Sequence, residues 1–177
     1  MVDINIDGQY QINGIPIGGS PNPSVIAFNA TNGTSVTGTT ALTASRILTI
    51  PANTFTTNGM LDMAVGYNKV GAAGSCLFAI YLNTSPTLTG STQIAVFANS
   101  ANNIIQGIRT GRVNSNTLTT WPTGATILLD YNLNTNPLTS ATFNTSVDNY
   151  LIFAVQLANA ADSAVVEMAR AVKYLEV

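Results

Sequence analysis

From about residue 41 to the end of the chain, apolar and polar residues alternate in short runs separated by turn-forming residues. Leu61, Met63, Val65 and Tyr67 alternate with Asp62, Ala64, Gly66 and Asn68, the period of a strand with one buried face. Leu151, Phe153, Val155 and Leu157 share a face in the same way within 150–157. Residues 76–82 form an unbroken apolar run, as in a strand covered on both faces, and Asn83-Thr84-Ser85-Pro86 ends it. Further strands are predicted at 46–50, 93–97, 104–109 and 126–132. Their regular spacing suits an antiparallel β-sandwich better than alternating βα units.

The two ends of the chain carry less regular patterns. In the C-terminal stretch, Val165, Met168, Val172 and Leu175 fall at helical spacing, with Asp162 or Ser163 as a possible cap. The β-branched residues Val165, Val166, Val172 and Val177 favour a strand, and the strand is the prediction adopted. At the other end, Val2–Gly8 alternates and turns, then resumes through Tyr10–Ile17, which predicts a pair of very short strands closed by Gly18-Gly19-Ser20-Pro21. Residues 21–40 are rich in Pro, Asn, Gly, Thr and Ser and read as a linker. The organisation expected is an N-terminal segment at 1–20, a linker at 21–40 and a β domain at 41–177.

Composition narrows the function. Of the 177 residues 46% are hydrophobic but only 8% are charged, with no histidine and one cysteine. Soluble domains carry roughly a quarter charged residues, so this surface is covered by hydroxyls and amides, buried in an oligomer, or both. A net charge of -2 argues against nucleic-acid binding, which needs a basic face. Arg109 and Arg112, the nearest approach to a basic cluster, read as ordinary surface charges. No apolar run reaches the ~20 residues of a membrane-spanning helix, so no membrane insertion is expected. No signal peptide is visible at the N-terminus, so the Asn-X-Ser/Thr triplets at Asn29, Asn32, Asn83 and Asn144 reflect composition.

Little chemistry is on offer. General acid–base catalysis uses histidine or a tuned carboxylate, and the eight acids are too scattered to nominate a pair for glycoside cleavage. Cys76 has no histidine to activate it and reads as a buried thiol. Asp3-Ile4-Asn5-Ile6-Asp7-Gly8 matches the first half of an EF-hand loop, but the twelfth position, which needs a bidentate Glu, is Gly14. No catalytic residue, metal or cofactor is predicted. Trp121 lies in the turn-like Thr119–Gly124 and is the one candidate for ligand binding, as a platform for a sugar face; the competing reading is a hydrophobic plug at the sandwich end or a subunit contact.

Two stretches carry a family resemblance. Tyr10-Gln11-Ile12-Asn13-Gly14-Ile15-Pro16-Ile17-Gly18-Gly19 resembles the segment that opens fibres and spikes among tailed-bacteriophage appendage proteins. Ile47–Phe55 and Ala79–Gly90 are similar to the start of jelly-roll domains in phage virion proteins, and Val147–Glu176 to their closing strands. The resemblance implies an all-β, antiparallel jelly-roll sandwich of tumour-necrosis-factor type, assembled as a homotrimer. It also implies anchoring to other virion proteins through Tyr10, Ile12, Asn13, Gly14, Ile15, Pro16 and Ile17. The expected function is a structural fibre or knob on the virion, assembled in the host cytoplasm, that adheres to host surface polysaccharide. The alternatives are a capsid decoration protein without a receptor and a non-viral glycan-binding module.

Overall fold

A computed structural model describes residues 23–56, 58–71, 74–100, 104–121 and 138–175, with three short strands nearer the N-terminus. Those three are β1 (Val2–Ile4), β2 (Tyr10–Ile12) and β3 (Ile15–Pro16), which form an antiparallel sheet of their own. The rest of the strands are β4 (Ser24–Asn29), β5 (Val36–Thr37), β6 (Thr43–Ile50), β7 (Gly59–Val70), β8 (Cys76–Asn83), β9 (Thr92–Ser100), β10 (Ile104–Asn114), β11 (Thr117–Trp121), β12 (Thr139–Thr142), β13 (Asn149–Leu157) and β14 (Ser163–Leu175). They make a seven-stranded sheet, in order β12-β11-β10-β7-β14-β4 with β5 also on β14, and a four-stranded sheet in order β6-β13-β8-β9.

The pairing is nested. β4 pairs with β14, β6 with β13, β7 with β10 and β8 with β9, all antiparallel. These are the rungs of one long double ribbon folded at its middle. Two further ladders, β14 on β7 and β13 on β8, roll that ribbon into two sheets. Eight strands so wound are a jelly roll, to which the β11–β12 hairpin adds width.

The inward faces follow from the alternation. Leu61, Met63, Val65 and Tyr67 of β7 point into the core with Phe78, Ile80 and Leu82 of β8 and Leu151, Phe153 and Val155 of β13. Tyr67 lies across Phe78, ring centroids 4.4 Å apart, and its hydroxyl donates to the Ala79 carbonyl at 3.1 Å. A phenol can be buried here because that carbonyl meets its one polar atom.

Several expectations are corrected. Residues 21–40 are not only a linker: Ser24–Asn29 forms an edge strand of the larger sheet and Val36–Thr37 pairs with β14. The prolines that suggested a linker precede β4, and an edge strand tolerates such flanks. Thr119–Trp121, read as turn-like, belongs to β11 and pairs with β10. Arg109 is not a surface charge but fully buried. The C-terminal ambiguity resolves to a strand, since Ser163–Leu175 pairs along almost the whole length of β7. The strand expected at 126–132 lies outside the described residues.

Candidate functional site

Trp121 is the last residue of β11, its backbone opposite Thr110 of β10. Of the proposed anchor residues, Tyr10 and Ile12 lie in β2 and Ile15 and Pro16 in β3, with Ile12 paired to both Val2 and Ile15. Asn13, Gly14 and Ile17 lie outside the described residues. Anchor and tryptophan therefore occupy different sheets. Cys76 is buried, and burial pushes its thiol up to about 12 against a weaker opposing pull from Lys69. Such a thiol is not a nucleophile at neutral pH. Among the described residues, no three of His, Cys, Asp and Glu gather as metal ligands.

The unexpected feature is where the cations go. Of six lysines and arginines, Arg46, Lys69 and Arg109 are buried. Lys69 meets Asp162 at 2.7 Å and donates to the Gly71 carbonyl at 3.1 Å. Arg109 crosses the sandwich from β10, donating to the Val96 carbonyl at 3.2 Å with its guanidinium 4.8 Å from the centre of the Phe97 ring. Each of these two is compensated from within the fold.

Arg46 is compensated less fully. It is 7% exposed and donates to the Thr31 carbonyl, but among the described residues its buried Nε has no hydrogen-bond partner and no carboxylate pairs with it. Loss of solvent lowers its pKa from the usual guanidinium value, which leaves it a cation at neutral pH. Two bulges set its position. The β6–β13 register shifts opposite Phe153 and Ala154, leaving Ser45 as the extra residue beside Arg46, and the β14–β7 register shifts between Val166 and Met168. Ser45 Oγ donates to the Thr34 carbonyl at 2.8 Å and accepts from the Val166 amide at 2.9 Å. Gly33 donates to the Val166 carbonyl at 2.7 Å, so loop 30–35 is tied to both sheets. Gly33 also approaches Ser45 too closely for any side chain, since a Cβ there would lie 2.4 Å from the Ser45 carbonyl oxygen.

Between this loop and β6 opens a cleft of about 330 Å³, lined by Asn29, Thr31, Asn32, Thr34, Arg46 and Ile47 among others. Its walls are amides and hydroxyls, with one half-exposed aliphatic side chain, Ile47, at the rim. The sequence did carry a signal for it: between Asp7 and Asp62, Arg46 is the sole charged residue.

A second surface lies on the outer face of the seven-stranded sheet. Strand registers place Ile108, Ala64, Arg170 and Phe28 in one row across β10, β7, β14 and β4. Phe28 is 71% and Ile104 74% exposed, and Val25, Met60 and Met168 add to the apolar area. A groove of about 390 Å³ runs between Phe28, Ile108 and Met168. Single exposed apolar residues are ordinary, whereas here several share one sheet face.

No protein-family model matches the chain, and comparison with curated proteins yields no match. Among solved structures the sandwich has distant likenesses. The CBM2 module of the evolved Dit of Lactobacillus casei BL23 phage J-1 is 11% identical, with 74% of this chain and 70% of that one covered, at a TM-score of 0.37. The carbohydrate esterase vb_24B_21 of Shiga toxin-encoding bacteriophage phi24B is 10% identical, with 85% and 90% covered, at 0.35. The infectious bursal disease virus Gx strain structure gives 8%, with 94% and 47% covered, at 0.24. At such scores these are loose likenesses between β proteins, and no function is argued from them.

Proposed function

We propose that this chain is a structural protein of a bacteriophage virion: a homotrimeric jelly-roll knob, carried by residues 1 to about 20, that adheres to host surface polysaccharide. The reading is non-enzymatic. The observation that carries it is the apolar outer face of the seven-stranded sheet. Water-exposed Phe28, Ile104 and Ile108 on one sheet are costly to a free monomer's solubility and are buried when copies of the chain pack together. The separate β1–β3 sheet supports an attachment role for the N-terminal segment, because its ladder is made without the sandwich strands. The low charge supports the same reading, since a hydroxyl- and amide-covered knob offers many donors and acceptors to sugars. Trimerisation adds avidity for weak, repeated ligands.

Two measurements test it. Light scattering of the intact chain at micromolar concentration is expected to give the mass of three chains; a strictly monomeric mass ends the knob reading. Antibody labelling of purified particles viewed by electron microscopy is expected to decorate the virion surface. A trimer that labels particles but does not bind host cells would favour capsid decoration instead.

A further inference from the structure

We propose that the cleft at Arg46 is a binding site for an acidic saccharide unit, with the sugar carboxylate against the guanidinium. This rests on the glycan-adhesion reading and names its site and ligand class. The cation comes first. Burying an unpaired charge costs several kcal/mol unless another group compensates it, and Lys69 and Arg109 show how this fold does that internally. Arg46 receives a single backbone carbonyl, from Thr31 at Nη2; its Nε is sealed from solvent, which leaves Nη1 as the guanidinium nitrogen open to a ligand. It lines the cleft and keeps 7% of its surface exposed. A carboxylate there is the matching group, because guanidinium and carboxylate pair through parallel charge-assisted hydrogen bonds.

The walls select what carries the carboxylate. Asn32 and Thr34 are exposed and present amide and hydroxyl groups that donate and accept, as sugar hydroxyls require. Ile47 offers a small apolar surface for the C–H face of a ring. No acid lies between Asp7 and Asp62, so nothing in this stretch of chain repels an anion. The volume sits at the small end of the ~300–1,000 Å³ usual for ligand sites, which suits one sugar ring rather than an extended chain. Asn29 Oδ1 is already committed, accepting from the Thr31 amide at 2.9 Å and its hydroxyl at 2.7 Å, so this oxygen shapes the loop.

The test is a titration of the intact protein with glucuronate, glucose and inorganic phosphate, followed by calorimetry or by amide shifts of residues 29–34. Glucuronate is expected to saturate at millimolar concentration, to weaken with added salt, and to outcompete both glucose and phosphate. Arg46→Gln removes the cation. Asn32→Asp is the second variant: this exposed position lines the same cleft as Arg46, so a carboxylate there is expected to weaken glucuronate at least tenfold while leaving the urea midpoint unchanged. Equal binding of glucose and glucuronate overturns the assignment, as does absence of glucuronate binding or an Asn32→Asp protein of unchanged affinity. Phosphate binding as tightly as glucuronate reduces the cleft to an anion site and overturns the saccharide class. Adherence to host cells separates the two readings. Intact protein that adheres equally with and without Asn32→Asp keeps the adhesion reading and loses this site. Protein that binds glucuronate yet does not adhere keeps the site and loses adhesion.

Discussion

Asp162 reaches Lys69 at 2.7 Å across a glycine that has no room for a side chain. A Cβ on Gly71 would lie 2.1 Å from Asp162 Oδ1, and Gly71 adopts a φ of +120° that L side chains rarely take. The pair is buried where β7, β14 and the short β5 meet, and the Asp162 carbonyl accepts from Thr37 Oγ1 at 3.3 Å. Removing one member of a buried pair strands the other charge, at a cost of about 3–5 kcal/mol. Asp162→Asn is therefore expected to lower unfolding free energy by that order in a urea titration. The double variant Asp162→Asn, Lys69→Met removes the stranded ammonium and is expected to recover part of the loss. Additive losses in the two single variants would mean that the two groups do not act as a pair.

Cys76 gives a prediction in pH. Its thiol titrates near 12 in the folded protein, raised by burial from an ordinary value of 9.0. Between those values the unfolded chain binds fewer protons than the folded one, so stability falls as pH rises. The contribution is fully present below about pH 9 and lost as pH climbs towards 12. Iodoacetamide at pH 8 is expected to leave the native thiol unmodified and to alkylate it once urea unfolds the chain. Replacing Cys76 with Ala should flatten the part of the alkaline loss that this thiol causes, measured as denaturation midpoints from pH 8 to 11.

Phe97 occupies the space that a side chain on Gly107 would need: an added Cβ would lie 2.1 Å from its Cδ1. The same ring carries the Arg109 guanidinium at 4.8 Å, so ring, glycine and cation form one packed unit between the sheets. Gly107→Ala forces the ring to move in a fully packed interior. Overpacking of this kind costs about 1–3 kcal/mol, and disturbing the cation–π contact adds to it. A fall of that size in a thermal or urea melt is expected. An unchanged melt would show that the ring yields freely and that the glycine is not needed for space.

How legible this was in the sequence depended on which face each strand hides. Leu61 to Tyr67 and Leu151 to Leu157 were readable because their inward faces are uniformly apolar. Residues 104–109 read as a strand, but the inward face of β10 is only partly apolar, with Ile105 and Val113 buried beside Gly107 and Arg109. Gly107 and Arg109 point inward while Ile104 and Ile108 point out, because Phe97 already fills the inner space. β11 was missed because Thr120, one of its inward residues, is polar and is buried only by donating to the Ile94 carbonyl at 2.7 Å. β4 was missed because its apolar residues face both ways: Ile26 and Ala27 pack on the core, and Val25 and Phe28 face out. The Arg46 cleft needs two bulges from strands far apart in sequence, and hydropathy carries no record of a bulge.

The row Ile108–Ala64–Arg170–Phe28 supplies the last prediction. In the free chain Phe28 is 71% exposed on an edge strand, so its side chain contributes little to the monomer's own core. Replacing it with Asp is expected to change monomer stability by no more than about 0.5 kcal/mol, as surface substitutions usually do. In a trimer packed through this sheet the same residue is a buried aromatic anchor, and losing such an anchor costs about 2 kcal/mol or more. That is roughly a 30-fold rise in the concentration needed to hold each contact. Ile108→Asp, one end of the row away, should act in the same direction, whereas Thr49→Asp on the small sheet should leave assembly unchanged. Sedimentation velocity across a dilution series measures all three. Dissociation by the Thr49 variant alone, with Phe28 and Ile108 variants still assembled, would move the interface to the other sheet.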